Sequence, residues 1–125
     1  MEPVETVAFF RNSFFPLMDS YGFKWQEGND IDSKGEKFAW GQFINGERRI
    51  RFACGINFFL LRYHIKKHDL SHTHFMELCN HKSPDFSDFS GNLHEDLKCI
   101  LQDLSTRGTS FLNGSVVSIL NRLTK

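Results

Sequence analysis

Five of the six histidines fall between residues 64 and 81, and His72, His74, Cys79 and His81 are all side chains that zinc accepts. Their spacing argues against a site. On a helix opening at Ser71, residues seven apart share a side, so His72 aligns with Cys79 and His74 with His81 on roughly opposite sides of the cylinder. Four ligands cannot converge from there, so neither a metal nor a cofactor is expected. Catalytic patterns are equally thin: there is no nucleophile elbow, phosphate loop or dinucleotide fingerprint, and GINF after Cys54 has one glycine. His68 beside Asp69, and His94 beside Glu95 and Asp96, are sequence neighbours that would not face one another on a helix. A metal-free RNA cleavage by His64, His72 or His74 with Arg62 rests on residue type alone. No catalytic residues are expected.

Binding chemistry has more to work with. Trp25, Trp40, Phe9, Phe86 and Phe89 lie outside the clear apolar stripes, and large aromatics become interface anchors when exposed. Glu27, Asp30, Asp32 and Glu36 surround an irregular stretch, so the expected partner surface is Trp25, Glu27, Asp30, Asp32, Glu36 and Trp40. It suits a basic protein, because complementary charge speeds encounter while aromatics supply burial. A second reading takes the basic strip Arg48, Arg49, Arg51, Arg62, Lys66 and Lys67, with Trp40, Tyr63 and Phe59 as stacking surfaces, as an RNA site centred on Arg49, Arg51, Arg62 and His64. Strand alternation dilutes it to two or three cations on one face.

The elements that must carry these residues belong to one domain of 125 residues with 15 basic and 15 acidic side chains. Zero net charge excludes chain-wide electrostatic binding to nucleic acid or an anionic membrane. The charge is nevertheless segregated: residues 1 to 36 hold seven acids and three bases, residues 37 to 82 eight bases and three acids. No apolar run approaches the ~20 residues of a membrane span, and the acidic opening MEPVETVAFF lacks a basic leader region. A cytoplasmic address with no membrane partner is expected, with Cys54, Cys79 and Cys99 as reduced thiols. Of 18 aromatic residues 14 are Phe, the one unusual number in the composition.

Val7, Phe10, Phe14, Leu17, Met18 and Tyr21 recur at helical spacing, with a kink or break expected at Pro16 and an end at Gly22. Phe23 to Glu27 reads as a short strand and 28 to 35 as a loop. Asn45-Gly46 predicts a type I′ hairpin between strands near 37–44 and 47–54, with Ile50, Phe52 and Cys54 inward and Arg49 and Arg51 toward water. Ile56 to Ile65 is apolar on both faces, as a central strand or as a seam between two copies in a homodimer. Helices are expected from Ser71, Asn92 and Asn113, each opened by its capping side chain. Together these predict an α+β fold: an N-terminal helix, an antiparallel sheet of three to four strands, and three C-terminal helices packed on it.

Three stretches, FFPLMDSYGF, RIRFACGINF and LSHTHFMELC, give the chain a loose resemblance to small bacterial immunity-type proteins of toxin-immunity loci. The resemblance spans about the first two-thirds of the chain and carries no catalytic residues. It implies a small cytoplasmic protein that binds and blocks a cognate toxin domain, frequently a nuclease.

Overall fold

The apolar stripe near the N-terminus forms one helix, α1 (Pro3–Ser20), in the computed structural model, which describes residues 2–56, 58–79 and 92–123. Val7, Phe10, Phe14 and Met18 line its buried side. The helix runs through Pro16 without dividing in two, contrary to one of the two expected outcomes there. Gly22, at φ +82°, takes the left-handed conformation that ends it.

Five strands follow, β1 (Lys24–Ile31), β2 (Lys37–Asn45), β3 (Arg48–Cys54), β4 (Phe59–Ile65) and β5 (His68–Leu70), in one antiparallel sheet ordered as the chain runs. The strand count exceeds the three to four expected, because β5 adds a three-residue edge. The stretch read as a loop from residue 28 is strand as far as Ile31: Gly28, Asn29, Asp30 and Ile31 pair with Trp40, Ala39, Phe38 and Lys37. Polar composition argued for a loop, but pairing with β2 satisfies that backbone whatever the side chains are. The remaining turn is closed by Asp32, whose Oδ1 accepts the amides of Lys34 and Glu36 at 2.8 and 2.9 Å. The hairpin forms, with its turn shifted by one residue. Asn45 pairs with Arg48, so Gly46 and Glu47 are the central residues. Only Gly46 has positive φ (+60°), the pattern of a type II′ turn with glycine first rather than the expected I′. Asn45 instead donates from Nδ2 to the Tyr21 carbonyl at 3.1 Å, tying the hairpin to the end of α1.

Helices resume with α2 (His72–Leu78), α3 (Leu93–Arg107), α4 (Thr109–Asn113) and α5 (Val117–Leu123). Ser71 Oγ caps the amide of His74, and Asn92 Oδ1 that of Glu95, as their spacing predicts. The described C-terminal helices number four rather than three, because Asn113 closes α4 instead of opening the last helix. Its Oδ1 accepts the Ser115 amide, and Gly114 turns the chain at φ +86°.

Alternation sorts the sheet into two faces. The inner one carries Phe43, Ile50, Phe52, Leu61 and Tyr63, all buried, and α1 seats Phe10 there against Phe43 and Phe52 at ring-centroid distances of 5.8 and 5.1 Å. Each fully buried Phe contributes about 2–3 kcal/mol before entropy is subtracted. At the other end of that face Tyr63 stacks with Phe75 of α2 and meets Phe111 of α4 edge-on. Its hydroxyl lies 2.7 Å from His72 Nδ1, and His72 Nε2 lies 3.0 Å from Asp103 Oδ2. The ring thus bridges the Tyr63 hydroxyl and the Asp103 carboxyl group, joining β4, α2 and α3 through one buried side chain.

At Gly41 the strand leaves room for Val7 of α1 and the indole of Trp25. A Cβ there would stand 2.1 Å from Trp25 Cη2 and 2.9 Å from Val7 Cγ1. Gly41→Ala should therefore destabilise the fold by about 1–3 kcal/mol through overpacking, read from urea unfolding. Adding Trp25→Leu should leave the double variant less destabilised than the sum of the two single changes, because the clash is with that indole.

Candidate functional site

The six residues expected to form one protein-binding surface fall in three places. Trp25 and Glu27 lie on the inner face: Trp25 Nε1 donates to Glu27 Oε1 at 2.8 Å, and Arg11 of α1 reaches the same oxygen at 3.3 Å. With the indole ring also against Phe10 and Phe43, this pair fastens α1 to β1. Trp40 projects from the outer face, with the Arg51 guanidinium 4.7 Å from its ring centroid. Asp30, Asp32 and Glu36 gather at the β1–β2 turn, where Asp32 is occupied in closing the turn. Phe9 stacks on His94 of α3 at 3.9 Å, a contact between helices; Phe86, Phe89 and His81 lie outside the described residues.

Around that turn the surface is apolar in a way the sequence did not announce. A cleft of about 610 Å³ opens between the first turn of α1 and the adjoining ends of β1 and β2, lined by Val4, Ile31, Phe38, Ala39 and Ile56, with two acids, Glu2 and Asp30, and one base, Lys37, also lining it. Val4, Ile31 and Ile56 are 56%, 58% and 79% exposed. Exposed Phe58 and Leu60 extend the apolar surface onto the outer face, where Phe58 meets Phe38 at 6.0 Å. Single exposed apolar residues are ordinary, but a cluster with a polar rim marks an interaction site. Val4, Ile31 and Ile56 are more than twenty residues apart along the chain; the run of adjacent apolar residues after Ile56 was the one hint available.

The four residues of the RNA reading converge. Arg49, Arg51, Arg62 and His64 all project from the outer face: Arg49 lies directly across from His64, and Arg51 from Arg62. Alternation leaves three arginines of β3 and β4 on this face, within the two or three cations expected, with His64 beside them. Asp69 of β5 binds Arg62 Nε at 2.7 Å and lies 3.9 Å from His64 Nε2. Arg49 Nε is buried without a hydrogen-bond partner. Arg48 does not belong to this group: it points inward, donates to the carbonyls of Phe111 and Leu112, and lies over the Phe23 ring at 5.0 Å. His64 and His72 arise from opposite faces of the sheet, so they do not form a joint catalytic pair. Among the described residues, no three His, Cys, Asp or Glu side chains are grouped as metal ligands would be. No described helix is long and apolar enough to cross a membrane.

Burial pushes the His64 imidazole below its usual range; Asp69 opposes this, and the positive charges of Arg49, Arg51 and Arg62 add to it. A depressed histidine pKa means the unfolded chain binds the proton more readily, so this residue's contribution to stability is present above the ordinary histidine range and is lost as pH falls through it. His64→Gln should flatten the loss of thermal stability between about pH 7 and pH 5, measured against wild type by thermal melts at each pH.

Compared with family models, with curated proteins and with solved structures, the chain matches none, and its functional reading rests on these surfaces.

Proposed function

We propose that this protein is a non-enzymatic binding module that docks a protein partner on the apolar end of the sheet, acting as an immunity protein that occludes a cognate toxin domain. The observation that carries the reading is the cluster of exposed Val4, Ile31, Ile56, Phe58 and Leu60 around a cleft that Glu2 and Asp30 also line. Apolar residues at the centre of such a patch supply burial, and an acidic rim selects a basic partner and speeds its encounter. Asp30, Asp32 and Glu36 keep the role expected of them as rim charges, whereas Trp25 and Glu27 belong to the helix–sheet seam. Trp40, stacked with Arg51, borders the patch on the outer face, and Trp and Arg are the side chains that most often dominate binding energy. The toxin assignment draws on the sequence resemblance; the docking surface draws on the geometry.

Ile31→Asp and Ile56→Asp remove apolar burial at exposed positions, so they should shift folding stability by no more than about 0.5 kcal/mol. Co-expressed with the toxin domain encoded beside it, the wild-type protein should restore growth and form a complex that survives gel filtration. The double variant should do neither while melting at the wild-type temperature. Undiminished protection by the double variant would rule this surface out.

A second reading is favoured by the convergence of Arg49, Arg51, Arg62 and His64 beside Trp40: single-stranded RNA laid across the outer face, its phosphates on the arginines and a base on the indole. Binding of single-stranded RNA at about 150 mM salt, lost on Arg49→Ala with Arg51→Ala, would support it. No binding under those conditions would exclude it.

A further inference from the structure

Beyond the arginine rows, the basic surface continues into a pocket that shares Arg49 and His64 with the RNA reading. A concavity of about 470 Å³ lies between the β2–β3 turn and the β4–β5 turn, and Arg49, His64, Lys66, Lys67 and His68 line it with Glu47 as its one acid. The two turns are tied together, since the Lys66 amide donates to the Glu47 carbonyl at 2.9 Å. The pocket wall is thus held by backbone rather than by mobile side chains alone.

Three features in or beside this pocket are unfavourable in themselves. Lys66 has φ +55°, the sole non-glycine residue at positive φ among those described. Glycine or asparagine adopts that conformation more cheaply, yet the turn presents a lysine. Beside the pocket Arg51 faces Arg62 across the strands, a like-charge pair that Asp69 relieves by binding Arg62. The Arg49 Nε donor is buried and unmatched. A lysine held in the left-handed region, neighbouring cations and a buried guanidinium donor at one place suit an anion.

We infer that this pocket binds a phosphate monoester, the terminal phosphate of a single-stranded RNA whose remaining backbone runs over Arg51 and Arg62. A monoester carries close to two charges at neutral pH and three acceptor oxygens, against one charge for an internal diester, and the pocket concentrates three permanent cations. The inference deepens the RNA reading, and the probes below separate the two. Glu47 and Asp69 bear on the pocket as the nearest acids, Asp69 being shared with Arg62.

The test is titration of the full chain with three probes: inorganic phosphate, octauridylate carrying a terminal phosphate, and octauridylate ending in hydroxyls. The phosphorylated strand should bind at least about tenfold more tightly than the hydroxyl strand, as expected for one added charge-assisted contact. Inorganic phosphate should compete for that difference. Lys66→Asn keeps a residue that tolerates positive φ but removes the cation; it should leave the melting temperature unchanged or higher and abolish the preference for the phosphorylated end. Equal affinity for the two strands would overturn the pocket while leaving RNA binding intact. Binding of inorganic phosphate alone, with neither strand retained, would overturn the RNA source. No binding of any probe would overturn both.

Discussion

The contact on which the rest depends is the seating of α1 in the notch left by Gly41. Removing one side chain from the middle of β2 lets Val7 and the Trp25 ring occupy the space, and Phe10 then reaches Phe43 and Phe52. That approach decides which face of the sheet is inner. Because side chains alternate with a period of two, the same choice turns Trp40, Gln42, Arg49, Arg51, Arg62 and His64 to the opposite face. A slip of one residue would bury three arginines. The outer face keeps its charged side chains because Phe10, Phe43 and Phe52 pack on the inner one.

On that outer face and its ends the neutral total charge resolves into parts. Acids cluster where α1 begins and β1 turns into β2; bases cluster where β2 turns into β3 and β4 into β5, the opposite end of the strands. The acidic end is also the apolar one, which favours protein docking, and the basic end is the polar one, which favours an anion. Trp40 lies between them with Arg51 stacked on it, so each surface has access to the same aromatic.

The sequence made local geometry legible and left convergence hidden. The helical stripe of α1, its end at Gly22, the caps at Ser71 and Asn92 and the hairpin around Gly46 are each decided by neighbours in the chain, and the structure has them. The extension of β1 to Ile31 was missed because it depends on the partner strand, and the turn type because the register moved by one residue. Arg48 and Trp25 read as surface residues from their types; each is bound instead to groups brought in by tertiary packing, Arg48 to carbonyls 63 and 64 residues away. The apolar cleft escaped notice for the same reason. The basic face holds the two or three cations that alternation allows, Arg49, Arg51 and Arg62; what the sequence did not carry is the register that sets Arg49 opposite His64 and Arg51 opposite Arg62.

The sheet has two lateral edges, and the chain treats them differently. β5 is three residues long, too short to recruit another strand. β1 is eight residues long and almost wholly accessible, the geometry that invites a second copy to add on by backbone pairing. Its side chains discourage that. Glu27 and Asp30 would bring like charges together in a self-paired ribbon, and Gly28, pressed against Trp40, offers no side chain to stabilise one. β4 pairs with β3 along its whole length but with β5 only at Tyr63, His64 and Ile65. The acidity of β1 thus guards against fibre growth, a duty to the protein's own solubility that holds whichever partner it meets.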